Sequence, residues 1–538
     1  MAAPNHIPKK TQVLVIGGGP GGSYAATCLA REGCQVVLLE ADNFPRYHIG
    51  ESTLPSLRRY LQFIGFLEEF EGHGFTHKNG AAFKLNAQKR HGFTNFLEED
   101  PTNHAWNLVR SESDEMLLRH ASRCGVKVHE STRVTDIEFD GPRPVAASYL
   151  NTSTHDAGRI EFDYLVDSSG RAGVMSTKYL KNRVFNPSFK NIATWGYWRG
   201  AKKYQPNDEK LANFPFFEAL SDDSGWAWFF PLHDGTTSVG LVMNQDIANR
   251  KKRAHSWSTR EFYVQELKKQ APVLVDLIGP EGYLAEDGKS SGSAVRSASD
   301  YSYSAKCYAG PGYRLVGDAA CFIDPYFSSG IHLAQTSGLS AAATILASIK
   351  GTCPETQAAE WHNQRVDISY TRFLVVVLTA YRQIRSQDTP ILSEIAEDGF
   401  DRAFDHFRPV IQGRVDAQQK LAATAPDLRE TIDFCKAAFD ATGREGMSVP
   451  IPSPQTRAGD SESASGRPTT NGYAHPTTNG EHPTLDAEVK NAITQTTAMR
   501  FMTTGESFMI DNLVSDEIIG MRLRLKAGDL GLDVISRS

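Results

Sequence analysis

Along the first forty residues the apolar positions come in runs. Val13–Ile16 is a β-branched run, a cluster of glycines follows, and Tyr24–Glu32 has helix-forming composition. Gln35–Leu39 is a second apolar run, and it ends at Glu40. Strand, helix and strand in that order predict a βαβ unit. From about Ala81 to Phe96, and again from about Ile192 to Val242, apolar and aromatic residues alternate with polar ones. Trp195, Tyr197, Trp226, Trp228 and Val239 belong to this pattern. A period of two predicts a largely antiparallel sheet. Phe162–Asp167 and Arg314–Gly317 read as further strands of the first unit, which is therefore assembled from discontinuous segments with the sheet inserted between them.

Beyond about residue 338 the pattern turns helical, in Leu339–Lys350 and Glu360–Ile384. Between Pro450 and Pro483 the chain is rich in Ser, Thr, Gly, Pro and Asn, and Pro468–Gly472 is repeated as Pro476–Gly480. Such composition cannot bury a core, which predicts a disordered insert over about 450–484. Hydrophobic patterning returns in Phe501–Leu532, so the chain is expected to come back and pack on the body. The expected fold is α/β. A discontinuous Rossmann-type domain covers 1–340, with a mainly antiparallel sheet inserted over about 81–105 and 185–290, and 341–538 form a mainly helical C-terminal region.

Bulk properties narrow the partners. The 538 residues exceed what one core holds, since cores stop growing at roughly 250–300 residues. A net charge of −6 leaves no basic excess to neutralise phosphates, which argues against a nucleic-acid or anionic-membrane partner. The seven cysteines are scattered and never form a C-x-x-C pair, so reduced thiols and no metal site are expected. Val13–Ile16 is too short for a signal segment, and Phe373–Ala380 falls short of the ~20 residues of a membrane span. A soluble cytoplasmic protein is the expectation.

The candidate chemistry begins at Gly17-Gly18-Gly19-Pro20-Gly21-Gly22, which carries G-x-G-x-x-G at Gly17, Gly19 and Gly22. The glycines permit a tight turn and let backbone approach a pyrophosphate, which then sits at a helix N-terminus among unpaired N–H groups. Glu40 is placed to accept a ribose hydroxyl. With strand, helix, strand and acid all in order, this is a dinucleotide site. Further segments are Phe44–Ser52 with Arg46, Glu51 and Ser52; Val109–Leu117 with Arg110 and Asp114; Asp167-Ser168-Ser169-Gly170-Arg171; and Gly317-Asp318-Ala319-Ala320. Together they resemble the FAD-binding pattern of the p-hydroxybenzoate-hydroxylase-like flavoproteins. The resemblance implies that Arg46, Glu51, Ser52, Arg110, Asp318 and Ile331 join Gly17, Gly18, Gly19, Gly21, Gly22 and Glu40 around FAD.

Three features resemble one branch of that superfamily, the flavin-dependent halogenases. Gly225–Pro231 is similar to their W-x-W-x-I-P signature, with Phe230 in place of isoleucine; the indoles themselves read as core residues. Phe322–Gly330 matches their F-x-x-P-x-x-S-x-G pattern. There Ser328, Ser329 and Gly330 would hold a halide, with N–H groups offered at the start of a helix near Ile331. In hydroxylases the same groups would instead cradle the flavin. Lys78, in His77–Phe83, sits where these halogenases carry their essential lysine; Lys84 is its nearest rival. In a tunnel its amine would bind hypohalous acid or form a haloamine, and desolvation would lower its pKa.

Tryptophan halogenases place a glutamate just before the Ser-x-Gly of this loop, and this chain has Phe327. An indole carbon needs help losing its proton, whereas a phenol is already electron-rich. The departure therefore favours a phenolic substrate, as does a wording in Phe44–Ser52, Lys78–Leu85, Trp106–Ser113 and Phe162–Gly173 similar to fungal halogenases of phenolic polyketides. The resemblance implies FAD delivered as FADH2 by a separate flavin reductase, O2, and chloride or bromide, with hypohalous acid relayed to Lys78. The alternatives are an aromatic hydroxylase of the same superfamily and a flavin-binding scaffold without chemistry of its own.

Overall fold

The computed structural model describes residues 6–387 except 86–89, 99, 187–188, 206, 209–210, 213, 287–293 and 386, together with 516–535. The insert expected over about 450–484 lies outside the described residues, as does most of the region after 387.

The apolar runs form a sheet buried on both sides. Lys10–Ile16 pairs in parallel with Val36–Leu39 on one flank and with Ala157–Asp167 on the other. Lys127–His129 and Tyr313–Leu315 extend the parallel core. Along these strands successive side chains enter different cores. Val13, Val15, Val36, Leu38 and Val166 pack under helices, while Leu14, Ile16, Val37, Leu39 and Leu165 pack towards the second sheet. A hairpin of Thr132–Asp140 and Arg143–Asn151 continues the sheet antiparallel to Ala157–Asp167. Its charged, half-exposed strands gave no apolar run to read in the sequence.

The alternating segments form a second eight-stranded sheet. It includes Gly80–Lys84, Gly92–Asn95, Asn191–Arg199, Phe216–Ala219, Gly225–Pro231, Thr237–Asn244 and Val295–Ser299. All its neighbours are antiparallel except Gly80–Lys84 with Phe216–Ala219. One face, with Phe216, Ala227, Phe229, Val239 and Leu241, is covered by the helices Gln245–His255, Thr259–Gln270 and Pro272–Ile278. The other face carries Phe83, Trp195, Phe217, Trp226, Trp228 and Phe230, and it looks towards the first unit. Gly240 lies opposite Trp228, and a Cβ there would stand 2.2 Å from the indole ring, so the indole lies flat only against glycine.

Two long helices follow, Gly330–Ile349 and Glu355–Ile384. The first begins where the Phe322–Gly330 pattern placed a helix start, near Ile331, nine residues ahead of the apolar run Leu339–Lys350. Its opening half, rich in small and polar residues, is nonetheless buried. The reason is a close crossing with helix Pro20–Arg31, where a Cβ on Gly338 would lie 2.9 Å from the Gly21 carbonyl oxygen. The described end of the chain is a hairpin, Met521–Arg524 with Gly531–Val534. It packs on this layer, and Trp361 Nε1 donates to the Met521 carbonyl at 3.3 Å. Among the described residues no helix is long and apolar enough to cross a membrane, and the six cysteines are free thiols.

Candidate active site

At the glycine turn the backbone is forced by packing. Gly17 has φ +96°, and a Cβ on it would lie 2.2 Å from the Ser168 carbonyl oxygen. A Cβ on Gly22 would lie 2.0 Å from the Gly17 carbonyl oxygen, and one on Gly21 2.7 Å from Val316. Gly19 caps helix Pro20–Arg31 without a side-chain hydrogen bond, and the nearest atom to its Cβ direction is Arg46 Nη2 at 3.5 Å. The helix N-terminus therefore points at open space beside a guanidinium, a setting for an anionic phosphate. Glu40 accepts from the Gly18 amide at 2.5 Å and from the Asp42 amide at 2.8 Å. Asp318 has no side-chain hydrogen bond among the described residues. Burial pushes its carboxyl up to about 6 even though Arg110, Arg171 and Arg183 oppose the shift. An uncapped helix end, a cation beside it and a carboxylate awaiting a hydroxyl fit FAD.

Arg110 is engaged by protein. It forms a two-bond pair with Asp114 at 2.9 Å each, and its Nη1 donates to the carbonyls of Ile49 and Gly50 at 2.7 and 3.2 Å. Asp114 also receives Arg46 at 2.9 Å. Burial alone would raise the Asp114 carboxyl, but Arg110 and Arg46 hold it below the usual range. Arg110 and Asp114 thus brace the 44–52 segment, and Arg46 reaches from there towards Gly19. Glu51, in the same segment, faces the aromatic sheet and accepts from Tyr197 Oη at 2.5 Å. The chain of contacts continues from Tyr197 to Tyr47 at 3.0 Å and on to Trp195 Nε1 at 2.8 Å. Burial pushes the Glu51 carboxyl up to about 7.

Lys78 ends the short strand Thr76–Lys78, which pairs with Ala105–Asn107, and it is 2% exposed. Its Nζ donates to Ser52 Oγ and the Thr53 carbonyl at 2.9 Å each, and to Ser328 Oγ at 3.5 Å. The Phe96 ring lies 5.5 Å away. Burial lowers its pKa to about 7, because no carboxylate compensates the desolvated ammonium. Lys84, the rival, ends the next strand and is half-buried.

The loop that Lys78 faces is short and constrained. Asp324 caps a single 3₁₀ turn, Pro325–Phe327, by accepting from the Tyr326 amide. Ser328 then takes φ +57°, and Ser329 is the N-cap of the 20-residue helix Gly330–Ile349. Among the described residues the amides of Ser329, Gly330 and Ile331 meet no acceptor, and nothing lies within 4 Å of a Cβ built on Gly330. A long helix offering open amides into free space suits an anion. Phe327 is buried against Tyr326 and Phe83. Lys78, Ser52 and Ser328 are therefore brought together, while the glycine turn, Glu40 and Arg46 form a separate cluster.

Sequence reasoning missed Asp324, Asn191 and Tyr381. Asp324 Oδ2 accepts from Tyr381 Oη at 2.7 Å and from Asn191 Nδ2 at 3.1 Å. Tyr381 in turn accepts from Trp226 Nε1 at 2.7 Å. Asp324 and Trp226 stood inside quoted motifs, but no local signal linked them to Tyr381.

The family model for tryptophan halogenase matches residues 12–100 and 97–425. The chain is 49% identical over 540 residues to the flavin-dependent halogenase ascD of Acremonium egyptiacum, covering 98% of this chain and 93% of that protein. It is 52% identical over 445 residues to the flavin-dependent halogenase armH3 of Armillaria mellea, covering 80% of this chain and 86% of the relative. Among solved structures it is similar to the myxobacterial chondrochloren halogenase CndH, with TM-score 0.63, 29% identity and coverage of 80% of this chain and 97% of that one.

Proposed function

The chain belongs to the tryptophan halogenase family and is a flavin-dependent halogenase, and on that premise we propose that it places chlorine or bromine on a phenolic, polyketide-derived ring, with Lys78 receiving the hypohalous acid. The family uses FAD, O2 and a halide ion. Bound FADH2 with O2 supplies the oxidising equivalent that turns halide into hypohalous acid. Gly17, Gly18, Gly19, Gly21, Gly22, Glu40, Arg46 and Asp318 would hold the cofactor's pyrophosphate and sugar portions. The sequence carries one glycine turn of this kind, which supports delivery of reduced flavin by a separate reductase.

The observation that carries the lysine's role is its place between two hydroxyls, Ser52 on the flavin-side segment and Ser328 on the halide loop. A buried amine lowered to about 7 is neutral in a large fraction at physiological pH. The neutral amine reacts with hypohalous acid to give an N–halogen bond and water. An aromatic ring then takes the halogen, and its displaced proton returns to the nitrogen. The cycle closes with the lysine restored and no carboxylate required, provided that the ring is electron-rich. Phe327 fits that condition, because it leaves an apolar ring where a general base would stand. Asp324, the carboxylate of the loop itself, is occupied by Tyr381 and Asn191.

The test is turnover with FAD, a flavin reductase, NADH, bromide or chloride, and a panel of resorcinol-type phenols beside indoles. Halogen isotope patterns in phenolic products are expected; halogenation of indoles in preference would sink the phenolic reading. With Lys78→Ala, a hypohalite trap in solution should still react while the phenol is spared. If that variant halogenates the phenol at the wild-type rate, the lysine has no such role.

A further inference from the structure

Trp226, the first tryptophan of the W-x-W signature, has no evident chemistry in the sequence, yet its indole N–H does not end in the core. It donates to Tyr381 Oη at 2.7 Å, and that hydroxyl donates to Asp324 Oδ2 at 2.7 Å. Asn191 Nδ2 closes the array, with 2.9 Å to Tyr381 and 3.1 Å to Asp324. All four side chains are buried. They come from the aromatic sheet, from helix Glu355–Ile384 and from the halide loop. The Tyr326 ring also meets Trp226 edge-on at 5.0 Å.

From Asp324 the chain has little freedom before it reaches the open amides. Pro325 fixes one torsion, a single 3₁₀ turn follows, and Ser328 is held in the left-handed region. Where Asp324 is clamped therefore decides where Ser328, Ser329 and Gly330 stand relative to Lys78. A buried carboxylate is costly to keep, and this one is pushed up to about 6 by its burial. Its Oδ2 holds the loop to the sheet and the helix, while its Oδ1 caps the loop's own turn. We propose that Trp226, Tyr381 and Asn191 are positioning residues that set the halide loop by clamping Asp324. The proposal rests on the assignment of halide to Ser328–Gly330.

The experiment uses the full chain with Trp226→Phe, which removes the indole link, and Tyr381→Phe, which removes a hydroxyl shared by Trp226, Asn191 and Asp324; each keeps an aromatic ring. The halide KM should rise about tenfold with Trp226→Phe, the effect of losing one hydrogen bond in a network that ends on a charge, and at least as much with Tyr381→Phe. Flavin affinity should stay within about twofold of wild type. At saturating halide kcat should largely recover, and the double variant should be no worse than the poorer single one. A brace that serves stability alone would lower Tm and leave halide KM unmoved, and that result in either folded variant overturns the proposal. Asp324→Asn, which keeps the shape and an acceptor for Tyr381, replaces any variant that fails to fold and should raise KM less. Gly330→Val separates the two assignments. If it leaves halide KM unchanged, the halide site lies elsewhere. If it raises KM while Trp226→Phe and Tyr381→Phe do not, the clamp alone is wrong.

Discussion

The glycine turn and the lysine–loop site sit in one molecule but are made of different materials. The turn is a backbone device: a Cβ on Gly17 or Gly22 would stand 2.2 or 2.0 Å from a carbonyl oxygen, so only glycine fits there, and its groups lie mostly within Lys10–Glu40. The lysine site is a side-chain device. Ser52, Lys78 and Ser328 meet across three segments, and the loop is held by Asn191, Trp226 and Tyr381 from three more. A backbone device tolerates almost no substitution but asks little of the rest of the fold. A side-chain device is chemically adjustable, and it depends on every element that brings the groups together.

The comparison can be broken at either end. Gly22→Val should have the largest effect, because a side chain inside the turn must displace the Gly17 carbonyl. Loss of bound flavin is expected, measured as the flavin content of the purified chain; a variant that retains FAD would show that the turn does not cradle it. Lys78→Ala should leave flavin content intact and cut halogenation of the phenol by at least about 10²-fold, because the nitrogen that carries the halogen is gone. Parallel loss of flavin would mean that the two devices are not separable. Gly240→Ala tests the aromatic sheet instead of either site. Pushing a methyl into the Trp228 indole should cost about 1–3 kcal/mol in denaturant unfolding while both sites keep working in the folded fraction.

A last test concerns protons. The folded-state pKa of Lys78 is depressed to about 7, below the unfolded value of about 10.4, so between those limits the unfolded chain binds more protons. The stability of the wild type relative to Lys78→Met should therefore rise as pH climbs from about 7 to 10. A flat difference in Tm across that window would mean that the amine is not desolvated.

The same contrast explains what could be read in advance. The turn was legible because its requirement is local: a β-branched run, glycines at fixed offsets, then an acid. Lys78 and the loop were legible only through resemblance, since a lysine among Gly and Ala residues says nothing by itself of Ser52 or Ser328. The bonds of Asp324 were not legible at all, because its partners Asn191 and Tyr381 lie far away along the chain. The start of helix Gly330–Ile349 was legible from the Phe322–Gly330 pattern, near Ile331, but not from hydrophobic patterning, which became helical only at Leu339. Its first half carries the small residues that a tight helix crossing requires, and these look like a loop when read singly.

That helix has a geometric consequence. Its first residue belongs to the halide loop, and its Gly338 rests on Gly21 of the dinucleotide turn. Eight residues at about 1.5 Å each set a rise of about 12 Å between the two places. On the proposed reading the helix would be a gauge block between the phosphate end and the reacting end of one extended cofactor. A single residue inserted between Ile331 and Ser337 would lengthen it by only about 1.5 Å but rotate one end by about 100° against the other. Phase, more than distance, is what evolution or an engineer must preserve there.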